Sequence, residues 1–187
     1  MFWRCLLLIS LIGLSVGQTL FAAKVTVPII DQLKEIDANV LLVRHALAPG
    51  FGDPYNFVID QCATQRNLDN VGRGQATLLG HRLRQSGLVF VKVYSSYWCR
   101  CIDTAELLNL GAIETFLGLN SFFQNHADRD ETLKLLRKML KHLDKKKLTL
   151  MVTHQVVIQA ITGISIASGG VVAYNSGTNE SVRIKFE

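Results

Sequence analysis

Two short runs, VLLVRHA at 40–46 and LTLMVTH at 148–154, constrain the fold more than any other part of the chain. Each is dominated by Leu, Val and Met and closes on polar residues, the pattern of a strand buried on both faces. Such strands need helices on either side, and the intervening sequence supplies them. In VGRGQATLLGHRLRQSG (71–87), Ala76, Leu79 and Leu83 fall at helical spacing, and Gly87 is placed as a stop. DETLKLLRKMLKHL (130–143) aligns Leu133, Leu136, Leu140 and Leu143 on one side. LVFVKVYSS (88–96) and AIETFLG (112–118) read as further strands, CRCIDTAELLNLG (99–111) as a helix closed by Gly111, and QVVIQAIT as a helix ended by Gly163. GGVVAYN and SVRIKFE read as a hairpin joined across SGTNE. The expectation is an α/β three-layer sandwich, with a mostly parallel central sheet and helices on both faces.

The segment MFWRCLLLISLIGLSVGQTLFAA (1–23) carries an early cation, Arg4, then an apolar run from Cys5 to Val16, then small residues at Gly17, Ala22 and Ala23. That is the outline of a secretory signal peptide, and its apolar core is shorter than the roughly 20 residues a spanning helix needs. Cleavage is expected after Gly17, Ala22 or Ala23, leaving 24–187 as one domain able to bury its own core. The mature chain is therefore expected to be exported, periplasmic or secreted, monomeric and not stably inserted in a membrane. A net charge of +5 and a pI near 9.1 agree with an anionic substrate. The cations of KHLDKKK (141–147) suit a solvated helix C-terminus, and no basic stretch with interleaved aromatics marks a nucleic-acid footprint.

Chemistry collects at the strand ends. Arg44 and His45 close the first strand, Ser95, Ser96 and Arg100 follow the second, and His154 follows LTLMVT. In an open parallel sheet the carboxyl ends of the strands share the ligand-binding edge, so these residues are expected to converge. Two imidazoles among arginines suit phosphate chemistry: one ring nitrogen attacks phosphorus while guanidiniums hold the non-bridging oxygens. Nearby cations also favour the neutral, nucleophilic imidazole, and the helix after His154 adds N–H donors for an anion.

VRHA (43–46), TQRNLDNVGRGQA (64–76), SSYWCRCIDTAELL (95–108) and VTHQ (152–155) resemble, in order and spacing, the four signature segments of the histidine phosphatase superfamily, the phosphoglycerate-mutase-like fold. The resemblance implies that His45 is the nucleophile of a phosphohistidine intermediate, that Arg44, Arg100 and His154 complete the phosphate pocket, and that water hydrolyses the intermediate without a metal or other cofactor. Arg66 and Asn67 would line the pocket from its loop, and Gln155 from beside the second histidine.

Three departures from the family pattern matter. Ala46 stands where the family has glycine after the histidine, which adds a methyl group beside the nucleophile. Gln155 replaces the aspartate of the larger acid-phosphatase and phytase branch, which points to the small branch. The region that often supplies a general acid offers only Glu114 and Asp128, or none, and a site without an acid suits good leaving groups such as phosphoramidates.

Cys62, Cys99 and Cys101 remain after signal cleavage. In an oxidising compartment Cys62 is expected to pair with one of the other two, Cys101 favoured over Cys99, tethering the loop that follows His45. No fourth ligand supports a zinc site, and no metal is expected. Size, export and the CATQRNL and LNSFF segments resemble exported phosphatases of lipopolysaccharide core heptose phosphates. The expected function is phosphomonoester hydrolysis on a phosphorylated cell-envelope sugar or small phosphate ester. Phosphohistidine hydrolysis, or non-catalytic binding of phosphate or phosphoglycans, are the alternatives.

Overall fold

The computed structural model describes residues 28–186. The signal segment read at 1–23 lies outside them. Among the described residues no helix is long and apolar enough to cross a membrane.

Among the described residues six strands form one sheet: β1 (Val40–Arg44), β2 (Phe90–Ser95), β3 (Ile113–Thr115), β4 (Leu148–Thr153), β5 (Val171–Tyr174) and β6 (Ser181–Arg183). Their order is β3-β2-β4-β1-β5-β6. The first four are mutually parallel, and β5 runs antiparallel to both β1 and β6, so the tail is the expected hairpin. Among the described residues five α-helices accompany them: α1 (Ile29–Lys34), α2 (Asn70–Gln85), α3 (Cys99–Leu108), α4 (Arg129–His142) and α5 (Gln155–Thr162).

The period-2 alternation of a strand explains the three layers. On β1, Leu41 and Val43 join a core with Leu79 and Leu83 of α2 and Ala105 and Leu108 of α3. Val40 and Leu42 point the other way, into a core with Leu136 and Leu140 of α4 and Val157 and Ile158 of α5. The central strands are thus covered twice, which is why they read as continuous apolar runs. Local chemistry ends the helices. Asp69 accepts from Gly72 N to cap α2, Asp128 accepts from Glu131 N to cap α4, and Gly163 (φ 72) closes α5 in the left-handed region. The helix at 99–108 stops earlier than expected, because Asn109 (φ 50) takes the left-handed position expected of Gly111. The third strand keeps only three residues, since a 3-10 turn at Leu117–Leu119 follows directly.

Two glycines let backbones touch where the site is held. A Cβ on Gly72 would lie 1.9 Å from the Leu47 carbonyl oxygen, and one on Gly80 2.2 Å from that of Leu108. The start of α2 therefore seats on the loop after β1, and its middle crosses α3 in direct contact.

The disulfide joins Cys62 to Cys99, not to Cys101. Two residues along a helix lie on nearly opposite faces. Cys101 faces the sheet, fully buried, with its Sγ 3.4 Å from His154 Nε2, which leaves Cys99 facing the 3-10 turn Cys62–Thr64. Burial pushes the Cys101 thiol up to about 12, so it is held as an unreactive S–H. The bridge closes a sequence separation of 37 residues, worth about 4 kcal/mol in the chain-entropy account. A Cys62→Ala/Cys99→Ala double variant should lose about that much in urea unfolding, and a non-reducing peptide map should leave Cys101 as the alkylatable thiol of the three. A bridged Cys101, or unfolding unchanged by the double substitution, contradicts this pairing.

Candidate active site

Strand order decides what meets. Because β2, β4 and β1 are neighbours and parallel, the residues after their carboxyl ends meet on one edge. His45 N donates to Thr153 O, continuing the ladder one residue past β1, and Ser96 N does the same to Val152 O past β2. His154 is the residue before α5 and Arg100 the second residue of α3. Arg44, His45, Arg100 and His154 accordingly line one cavity of about 450 Å³, together with Arg66 and Gln155.

The tautomer of His45 follows from its partners. His45 Nδ1 lies 2.8 Å from the Ala46 carbonyl oxygen, which can only accept, so Nδ1 carries the proton. Nε2 then presents its lone pair, and it accepts from Arg100 Nε at 3.2 Å. Burial and the Arg100 charge depress this imidazole to about 3, so it is neutral at physiological pH. Ala46 is fully buried and outside the left-handed region, which is why a side chain is tolerated there, and its N–H is fixed by Thr104 Oγ1 at 3.0 Å.

His154 packs edge-on to His45, with ring centroids 5.4 Å apart. Its Nε2 is engaged by Ser96 Oγ at 2.9 Å, and Trp98 covers its ring. Burial, reinforced by Arg100, holds it well below the ordinary histidine range.

Sequence reasoning missed the residue that organises the arginines. Asp53 accepts from Arg100 Nη1 at 2.7 Å and Nη2 at 3.1 Å, a fork-to-fork pair whose side chains are both 4% exposed. The same carboxylate accepts from Arg66 N and from the Trp98 indole. Burial raises the Asp53 pKa, but the Arg100 fork outweighs it and keeps the group ionised below the usual carboxylate range. Gln65, also unforeseen, accepts from Cys99 N and donates to the Val58 and Ile59 carbonyls, binding the loop to α3. A buried aspartate in APGFGDPYN carries no periodic signal; only its place in a loop between candidate strands hinted at it.

Other expectations need correction. Asn67 does not line the cavity: its amide donates to the Cys62 and Gln65 carbonyls and shapes the loop. Glu114 is exposed on β3 and paired with Lys92 on β2, and Asp128 is spent on capping α4. Neither is among the cavity-lining residues, and no carboxylate is. Arg66 does face the cavity, its guanidinium braced on the Ala48 and Gly52 carbonyls. Arg44 donates through Nη1 to Ile166 O, while its Nε is buried without a partner. Gln155 lines the rim and donates to Ser165. Among the described residues no group of three or more His, Cys, Asp or Glu could hold a metal.

Fold and site together define an α/β sandwich that presents a neutral imidazole inside an arginine-lined anion pocket. The family profile of the histidine phosphatase superfamily (branch 1) matches residues 40–117, from β1 to just past β3, and the chain resembles that superfamily. No curated protein matches the sequence. Solved structures share the fold. The protein histidine phosphatase SixA complexed with tungstate is 14% identical, with a TM-score of 0.53 over 78% of this chain and 94% of that one. Phosphoserine phosphatase from Entamoeba histolytica, in complex with 3-phosphoglyceric acid, is 14% identical with a TM-score of 0.55 over 79% and 95%.

Removing the Asp53 carboxylate leaves Arg100 charged and unpaired in the interior, a change that typically costs about 3–5 kcal/mol. Asp53→Ala should lower unfolding stability by that order; a loss below about 1 kcal/mol means the pair is solvated in solution.

The histidines set the acid response. An unfolded histidine protonates near 6.5, whereas His45 stays neutral to about 3. Between those values the unfolded chain binds more protons, so stability falls as pH falls. The slope is up to about 1.4 kcal/mol per pH unit per histidine. His45→Asn should flatten the decline between about pH 4 and 6.5. Equal slopes in the two proteins would mean that His45 is charged when folded.

Proposed function

We propose that this chain is an exported, metal-independent phosphomonoesterase that works through a phosphohistidine at His45, on a phosphorylated cell-envelope sugar or another small phosphate ester. The observation that carries the proposal is the His45 Nε2 lone pair, held by the Nδ1–H bond to Ala46 and aimed into a pocket of arginines. Charge agrees with it. Arg44, Arg66 and Arg100 against the single Asp53 carboxylate, with both histidines neutral, leave two positive charges to meet a phosphate carrying about −1.5 to −2.

In the first step the Nε2 lone pair forms the N–P bond as the P–O bond to the alcohol breaks, and the leaving oxygen takes a proton from solvent. Arg100 keeps its proton, but its Nε–H hydrogen bond shifts from His45 Nε2 to a phosphoryl oxygen as attack begins. Charge on the equatorial oxygens is then met by donors already in place. Water next attacks phosphorus, the N–P bond breaks, and phosphate and the neutral imidazole return. Export is supported by the apolar leader at 5–16 and by the Cys62–Cys99 bridge. The lack of a carboxylate in the lining favours a second reading, hydrolysis of a P–N bond such as phosphohistidine, whose leaving group needs less protonation in flight.

Mature protein with p-nitrophenyl phosphate in EDTA should turn over, and acid-quenched enzyme should carry acid-labile phosphate on His45. His45→Ala should lose at least about 1000-fold in kcat and all labelling, as expected when a nucleophile is removed. Activity that requires added metal, or survives His45→Ala, would sink the proposal.

A further inference from the structure

Helix α2 carries two apolar faces, and the core uses one of them. Ala76, Leu79 and Leu83 are buried, whereas Val71 and Leu78 are 67% and 51% exposed. Val71, Gly74, Gln75 and Leu78 stand at i, i+3, i+4 and i+7, so they form a single stripe along the helix. That stripe is the floor of an open trough of about 610 Å³, walled by Leu47 on the loop after β1 and by Ala167 before β5. The volume falls in the range of small-molecule sites, roughly 300–1,000 Å³. Arg44, Leu47 and Ser168 line both the trough and the arginine pocket, so the two are continuous.

The chain braces this trough and keeps it clear. Gln75 ties both walls to the floor: its Oε1 accepts from Leu47 N and its Nε2 donates to Ser168 O. A glycine inside a helix is destabilising relative to alanine and needs a reason. Close backbone approach supplies one for Gly72 and Gly80, but a Cβ on Gly74 would meet nothing within 4 Å. There the bare backbone keeps the floor of the trough low.

Resting on the phosphatase reading above, we infer that the trough holds an unbranched hydrocarbon chain borne by the phosphate ester, so that the substrate is an amphiphile with its phosphate among the arginines and its chain along α2. Charge complementarity assigns the occupant. Arg44 at the inner end meets an anionic head, and Leu47, Val71 and Leu78 meet an uncharged tail. A sugar's hydroxyls would not find the Gln75 amide free, since it is paired at both ends. A flat partner surface would cover the stripe without following it into the pocket. From Val71 to Leu78 the floor runs about 10 Å, the reach of about eight methylenes.

The test is binding of alkylphosphonates, whose C–P bond keeps the ligand intact on the unsubstituted protein. Full burial of a methylene is worth about fourfold in affinity, so a chain with one side on the trough should gain about twofold per methylene. Titration calorimetry below the micellar range should therefore show octylphosphonate about 16-fold tighter than butylphosphonate. Gly74→Gln and Leu78→Gln should each cut that ratio to below about fourfold; both positions are exposed, so the variants should fold. Equal affinity for the two ligands overturns the inference, and so does a gain that survives both substitutions, because the chain then lies elsewhere. Binding to phosphatidylglycerol vesicles, or self-association in sedimentation, that Leu78→Gln abolishes while no chain-length gain exists assigns the stripe to a bilayer or a second copy and also overturns it. If His45 fails to label while the gain stands, the phosphatase reading falls and the trough holds; a labelled enzyme without the gain gives the reverse.

Discussion

The buried pair between Asp53 and Arg100 organises this site. Neither side chain has appreciable contact with solvent, and removing two charges from water costs about as much as their attraction returns. Its consequence is therefore geometric more than energetic. With both terminal nitrogens held by the carboxylate, the guanidinium has one orientation, and in that orientation Nε faces His45 Nε2. The carboxylate also offsets one of three clustered cations. Arg44 and Arg66 both have their pKa lowered, by burial first and by the neighbouring Arg100 charge second.

Everything that holds α3 serves this pair. The helix begins at the bridge from Cys99 to Cys62, Gln65 accepts from its first N–H, and Gly80 lets α2 press directly on its last turn. The loop after β1 is seated in turn on α2 through Gly72. Asp53 approaches Arg100 from a loop, and loops are ordinarily mobile. Here the loop is fixed by a covalent bond, by Arg66 bonds to its own carbonyls and by the Trp98 indole. Second-layer contacts of this kind keep catalytic side chains within productive geometry.

The strand ends were legible in the sequence because burial on both faces writes itself as a continuous apolar run, and topology then forces their carboxyl ends together. The convergence of His45, Arg44, Arg100 and His154 followed from that, while their expected roles came from the family resemblance. Asp53 did not, since its partner is 47 positions away and no periodicity links a loop to a helix start. Cys99 and Cys101 illustrate a finer limit. Helical geometry says that two such residues face apart, but only the docking of α3 against β4 and His154 says which faces outward. Glu114 misled for a related reason. Its strand is at the sheet edge, where one side chain reaches Lys92 and water instead of the site.

The way the His45 imidazole is kept neutral has a chemical consequence. Burial contributes more than any charge to depressing His45, so its neutrality persists when a phosphate dianion enters and offsets the arginines. Had the cations alone held it deprotonated, substrate would raise its affinity for a proton and quench the lone pair at the moment it was needed. A desolvated imidazole, oriented by Ala46 and released by Arg100, avoids that conflict. The arginines, in spite of the dryness, deny the site a protonated acid: a carboxyl group beside three of them would be held as carboxylate, as Asp53 is. On the phosphatase reading, the leaving group's proton must come from water at the open rim, so leaving-group basicity becomes the natural limit on what such a pocket can hydrolyse.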